Sequence, residues 1–201
     1  TYIYRPGKGD FLYWDWINYY SLQAEYAWAK LDYTSGSTGS DDNEPNYMYD
    51  IRSLVGRDFY PVPQVVMTPY GGFGFRYLLD DSGGRQTTTG QFGYDRKAHY
   101  LYLPFGLNYT YQVNKDWRIV GNGEYDLFLS GWQKSYLGDV PSPGYFDGRN
   151  DQKHGFGVRA SVKLIRILPH INFSIEPFIR FWHIEDSEVA NAGLINVLEP
   201  E

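Results

Sequence analysis

The chain contains no cysteine and only two methionines among its 201 residues. Without thiols it can form no disulfide and no thiolate metal site, a composition suited to passage through an oxidising compartment. It also lacks any run near the ~18 consecutive apolar residues of a membrane-spanning helix. That excludes a helical membrane protein but leaves the closed β-barrel, the other structure that satisfies every backbone group in lipid. A basic surplus is missing too: 18 Lys and Arg stand against 24 Asp and Glu, which argues against a nucleic-acid partner. No signal-peptide pattern opens the chain, and a first residue of Thr instead of Met leads to the expectation that a leading segment has been removed.

Aromatic residues are plentiful. Twenty Tyr, 12 Phe and 6 Trp make up 19% of the chain, yet the mean hydropathy is −0.50. A soluble core built from so many rings would show as continuous apolar runs. Here apolar and polar residues alternate nearly one for one, as they do where one side of a strand faces lipid and the other a lumen.

Seven segments carry that period-two pattern: 22–32, 47–57, 66–79, 100–113, 117–129, 154–165 and 171–183. In the fourth, Leu101, Leu103, Phe105, Leu107, Tyr109 and Tyr111 oppose Gly106, Asn108, Thr110 and Gln112. Each segment runs about 11 to 14 residues, the length of a tilted membrane strand, where ordinary strands run nearer 5 or 6. The connections 58–64, 114–116 and 166–170 are short, while 34–46, 80–99, 130–153 and everything after 184 are long and polar. Short turns at one end and long loops at the other are the outer-membrane arrangement. The expected fold is an all-β, up-and-down antiparallel transmembrane β-barrel in one domain spanning 1–201. Residues 1–21 are its lead-in, 22–183 its strands and 184–201 an extracellular loop. A soluble barrel of lipocalin type, which needs its apolar side inward, is the alternative.

With the polar face inward, the lumen would hold five acids (Glu25, Asp50, Glu124, Asp126, Glu176) and five bases (Arg52, Arg76, Arg159, Lys163, Arg180). A small barrel has room only for side chains, and buried charges are prohibitive unless paired. The balance implies an interlocked network that plugs the lumen and leaves no large aqueous pore. Trp28, Tyr49, Trp117 and Trp132 are the expected interfacial rings, and Tyr70 is grouped with them on the apolar side. Tyr100, Tyr102 and Trp182 fall on the polar register and must point inward. Gly72, Gly74, Gly106 and Gly157 interrupt strands where a facing side chain would need room.

The strand count is odd. The first and seventh segments run the same way and cannot pair antiparallel, and single-chain bacterial barrels have an even number. Eight strands are therefore expected, the closing one lying beyond residue 201. The alternative is that the N-terminal stretch closes the barrel, although 1–5 is short and 11–20 has no turn before the first strand.

Four segments, YLYLPFGLNYTY (100–111), WRIVGNGEYDLFLSG (117–131), GFGVRASVKL (155–164) and FSIEPFIRFWHIEDSE (173–188), make the chain resemble the small eight-stranded outer-membrane barrels of Gram-negative bacteria. These include the outer-membrane protein A and opacity types. The resemblance implies the architecture and an outer-membrane location, and says little of function, since such barrels anchor, adhere, transport or catalyse.

No catalytic set and no cofactor is expected. His99, His154, His170 and His183 show no metal-ligand spacing, and His154 and Ser161 lie roughly 23 Å apart along one strand. The acids of the long loops lack calcium-loop spacing. The expected role is structural or interactive, anchoring the envelope or binding a surface partner through the long loops. A narrow solute channel stands second, and an outer-leaflet lipid-modifying enzyme using His99 or His154 third. The expected surroundings are outer-membrane lipid and lipopolysaccharide.

Overall fold

In a computed structural model, residues 1–141, 143–193 and 196–197 are described. They form strands joined by turns, with one 3-10 turn at Leu137–Asp139. In chain order the strands are β1 (Tyr2–Tyr4), β2 (Tyr19–Ser35), β3 (Gly39–Gly56), β4 (Phe59–Val62), β5 (Val65–Asp80), β6 (Arg96–Asn114) and β7 (Trp117–Ser135). There follow β8 (Gly148–Gln152), β9 (Gly155–Ile167), β10 (Asn172–Ile175), β11 (Phe178–Ile184), β12 (Ala190–Asn191) and β13 (Asn196–Val197). One antiparallel up-and-down sheet of 11 strands runs β1-β2-β3-β5-β6-β7-β9, with β10 and β11 both on β9; β4 extends the sheet beside β5 and β8 beside β7. β12 and β13 pair separately.

The sheet is turned inside out relative to a soluble protein. Leu22, Tyr26, Ile51, Phe73, Phe105, Tyr125, Val162 and Ile179 lie exposed on its outer surface, and Ile179 is 70% accessible. Asp50, Arg76, Glu124, Asp126 and Arg159 are buried on the concave side. Alternation along each strand produces this directly, because successive side chains point to opposite faces.

The curl brings β2 and β11 face to face. Arg180 of β11 donates to Glu25 of β2 at 2.5 Å and reaches Met48 of β3. Among the described residues no backbone ladder joins β2 to β11, and both strands run in the same direction, so neither can complete an antiparallel pair with the other. Part of the free edge of β2 is covered by β1, which pairs Tyr2 with Leu22 and Tyr4 with Tyr20. Residues 1–5, expected to be too short to close the barrel, contribute a three-residue strand at the short-turn end.

Strand ends depart from expectation for identifiable reasons. The stretch 34–46 is no loop: β2 and β3 continue as one hairpin to Ser35↔Gly39. A bulge between Leu31 and Tyr33 absorbs the extra residue. There Asn43 takes a positive φ of 61°, and its N–H is capped by the Asp32 carboxylate at 2.9 Å. β7 runs six residues past the expected end at 129, and β8 pairs with that extension, so the expected loop 130–153 begins and ends in paired strand. The segment 171–183 is broken at Glu176-Pro177 into β10 and β11, since proline has no N–H for the ladder. Of the expected loop 184–201, positions 194–195 and 198–201 lie outside the described residues.

Neighbouring strands close-pack through glycine. A Cβ added at Gly74 would sit 2.2 Å from the Tyr102 ring, and one at Gly106 would sit 2.3 Å from the Tyr70 hydroxyl. Both rings are thereby laid flat against the inner wall. Gly123 faces open space, with nothing within 4 Å of an added Cβ. G74A and G106A are expected to lower stability by about 1–3 kcal/mol through overpacking, and G123A to leave it unchanged. Urea titration of the folded protein, followed by tryptophan fluorescence, reads the difference.

Candidate functional site

The centre of the concave side is organised by one guanidinium. Arg159, 6% accessible and projecting from β9, donates from Nη2 to Asp50 of β3 (2.9 Å) and to the Tyr102 hydroxyl of β6 (2.8 Å). Its Nε meets Asp126 of β7 at 2.9 Å and lies 3.1 Å from Glu124. Asp50 also accepts from Arg76 Nη2 at 2.7 Å and from the Tyr102 hydroxyl at 2.6 Å. Arg76 lies 4.1 Å over the Trp182 ring, which ties β11 into the layer. Glu124 pairs with Arg52 as well, and Arg52 Nε donates to Gln23 of β2 at 2.8 Å. Every long strand therefore sends at least one side chain into this layer.

All ten charges singled out from the sequence form ion pairs, but not in one cluster. Asp50, Arg52, Arg76, Glu124, Asp126 and Arg159 make the buried layer. Glu25–Arg180 bridges the gap between β2 and β11, and Lys163–Glu176 (2.7 Å) lies half-exposed toward the short-turn end. The sequence missed the neutral half of the network. Tyr70, grouped with the outward rings, is buried and donates to Glu124 at 2.7 Å, while Asn122 donates to its hydroxyl at 2.8 Å. Its parity with Gly74 and Arg76 on β5 was the available signal. Tyr100, Tyr102 and Trp182 point inward as their register requires.

The layer divides the interior in two. Toward the long-loop end Ala98, Tyr100 and Phe128 form an apolar cluster packed by Leu78, Trp182 and Ile184. Toward the short turns lies a cavity of about 800 Å³. Its walls include Asn108, Thr110, Gln112, Arg118 and Asn122, and it reaches Glu25 and Arg180 at the gap.

On the outer surface, rings stand in line. Tyr26, Tyr49, Tyr77, His99 and Trp132 are direct cross-strand partners from β2 to β7. Successive ring centroids are 5.0, 6.0, 5.0 and 4.7 Å apart. Trp28 sits two residues beyond Tyr26 in the same strand, half-exposed. Trp117 lies at the opposite end of β7, with the Arg166 guanidinium 5.0 Å over its ring.

The loop between β5 and β6 is held against the tip of the β2–β3 hairpin. Arg85 forks onto Asp41 at 2.6 and 2.8 Å, and the Thr88 N–H donates to the Ser40 carbonyl at 2.8 Å. The hydrogen bond from Arg85 holds the Asp41 carboxyl below its ordinary value. Among the described residues no three His, Asp or Glu side chains gather as a metal site. No protein-family model matches the chain, and no curated protein does either.

Two outcomes follow from these contacts. Replacing Arg159 with Met leaves three carboxylates short of a partner and is expected to cost about 3–5 kcal/mol, with R159K recovering part of it, measured by the same urea titration. Since the Asp41 value is depressed, its stabilisation is present above the unfolded value and is lost as pH falls through the folded one. Hydrogen exchange at the Thr88 amide, corrected for intrinsic rate, should rise in acid, and D41N should show the fast exchange at neutral pH.

Proposed function

We propose that this chain is an outer-membrane barrel of Gram-negative type, shut at mid-height, that anchors or presents its long-loop end as an interaction surface. The observation that carries the reading is the inversion of the sheet: charges meet inside, and rings and aliphatics face out. Exposed apolar patches beyond a few hundred Å² are rare on soluble monomers, whereas here the outward apolar side chains cover strand after strand. On β6 they run from Leu101 to Tyr111, roughly 33 Å of strand at about 3.3 Å per residue. At a tilt near 45° that is about 23 Å, close to the ~25 Å apolar band of such barrels.

The shut lumen follows from the layer around Arg159. Five buried charged side chains, the half-buried Arg52, Tyr70 and Tyr102 occupy the cross-section, and an apolar cluster backs them on one side. A narrow channel is the second reading, favoured by the cavity at the short-turn end; it requires the layer to part. The β5–β6 loop and the β2–β3 hairpin tip, cross-braced by Arg85 and Asp41, provide a fixed surface for a partner.

The membrane reading makes Phe105, 50% accessible at the middle of β6, a lipid-facing residue. F105R should cost about 2–4 kcal/mol for folding into lipid vesicles. Were Phe105 a water-exposed surface residue, the change would stay within about 0.5 kcal/mol. Planar-bilayer recording should show no conductance of general-porin size, and a large steady conductance would overturn the shut lumen.

A further inference from the structure

Three cations stand side by side on the outer surface at the long-loop end. Lys97 of β6 is the direct cross-strand partner of Lys134 of β7, and Lys134 that of Arg149 of β8. All three point outward, because their strand neighbours Ala98, Gln133, Ser135 and Asn150 are buried. Like charges placed opposite one another destabilise a sheet, so folding alone gives no reason for this row. Its neutralisation is partial. Lys134 meets Asp147 at 2.9 Å and Arg149 meets Asp151 at 3.4 Å, both acids well exposed, and the ammonium groups of Lys97 and Lys134 lie 4.4 and 4.2 Å over the Tyr136 ring.

What lies beside the row gives it meaning. Two residues nearer the middle of the same strands, His99 and Trp132 stack at 4.7 Å with their planes 7° apart, and Arg149 lies 5.6 Å over the Trp132 ring. Past the rings come Leu101, Leu103 and Phe105 on β6 and Leu129 and Leu127 on β7. Both strands therefore read cation, flat ring, aliphatic from the long-loop end inward. β2 repeats the order in Lys30, Trp28 and Tyr26 with a single cation, where β6 to β8 gather three. The order is that of an amphiphile lying along the wall: anionic headgroup, interfacial ring, acyl chain. Adjacent strands are about 5 Å apart, so the row spans roughly 10 Å, long enough for more than one phosphate.

We infer that Lys97, Lys134 and Arg149 bind the phosphates of a multiply phosphorylated outer-leaflet lipid, of the lipid A class, whose chains lie against Leu101, Phe105 and Leu127. The site rests on the membrane reading for its orientation and is tested apart from it. Folded protein in detergent is mixed with bisphosphorylated lipid A, with the same lipid dephosphorylated, or with inorganic phosphate, and bound adducts are counted by native mass spectrometry. Wild type should retain the bisphosphorylated lipid. Loss of each cation should weaken retention about fivefold, and the K97Q/K134Q/R149Q variant should bind roughly a hundredfold less. D147N/D151N, which releases two of the cations, should bind more tightly, and the dephosphorylated lipid should not be retained. Unchanged retention by the triple variant, with its urea transition intact, overturns the site. So does displacement of the lipid by equimolar inorganic phosphate, which would make this a free-anion site. Failure of wild type to fold into vesicles would instead count against the membrane reading.

Discussion

The Arg159 guanidinium is the constraint from which the rest of the interior follows. It is a charge held away from water, and it is tolerable only because Asp50, Glu124 and Asp126 converge on it from two other strands while Tyr102 accepts from it on a third. Those contacts fix how far the sheet must curl. A flatter sheet would pull Asp50 away from β9, and a tighter one would drive Tyr70 and Tyr102 into the glycines that give them space. Because no backbone ladder joins β2 to β11 among the described residues, the curvature is set by side chains meeting across the interior. Glu25–Arg180 and the Arg76–Trp182 contact carry the same role to the edge strands.

The outer surface obeys a simpler rule, since each position is graded by how far along its strand it lies. Aliphatics occupy the middle, rings follow, and bases come after the rings on β2, β6 and β7. The two faces are coupled by parity alone. A strand that positions Arg159 inward must place Val158 and Ala160 on the other side, so the charge layer and the apolar band are one pattern read from two sides.

Much of this was legible because the alternation is strict where both environments differ. β5 shows it best: 66–79 was expected and Val65–Asp80 is found. Alternation fades where both faces meet the same medium, which is why the polar stretch 34–46 read as a loop although it continues the hairpin. The charges were legible as a set since each sat on the polar register. Their grouping was not, because whether Lys163 joins the buried layer depends on its height along β9, which periodicity does not give. Tyr70 was misplaced since a tyrosine suits a membrane interface and a buried hydroxyl equally well, and only its parity decides. The break at Glu176-Pro177 was hidden inside an otherwise regular apolar series.

One small irregularity in β7 has a large consequence. Between Phe128 and Gly131 both Leu129 and Ser130 lie on the outer side, and the pairing with β6 skips a residue there. Before that step the even residues face inward; after it the odd ones do. The strand thus has a reading frame, and this step is where the frame changes. Were the strand to run through without this step, Glu124 and Asp126 would stay in place but the far end would turn over, sending Gln133 and Ser135 to the outer surface and Trp132 and Lys134 into the interior. Deletions of equal size are therefore unequal in effect: loss of Ser130 removes the extra residue and leaves every position from Gly131 on its own face, whereas loss of Trp132, beyond the step, turns over every position from Gln133 to the end of the strand.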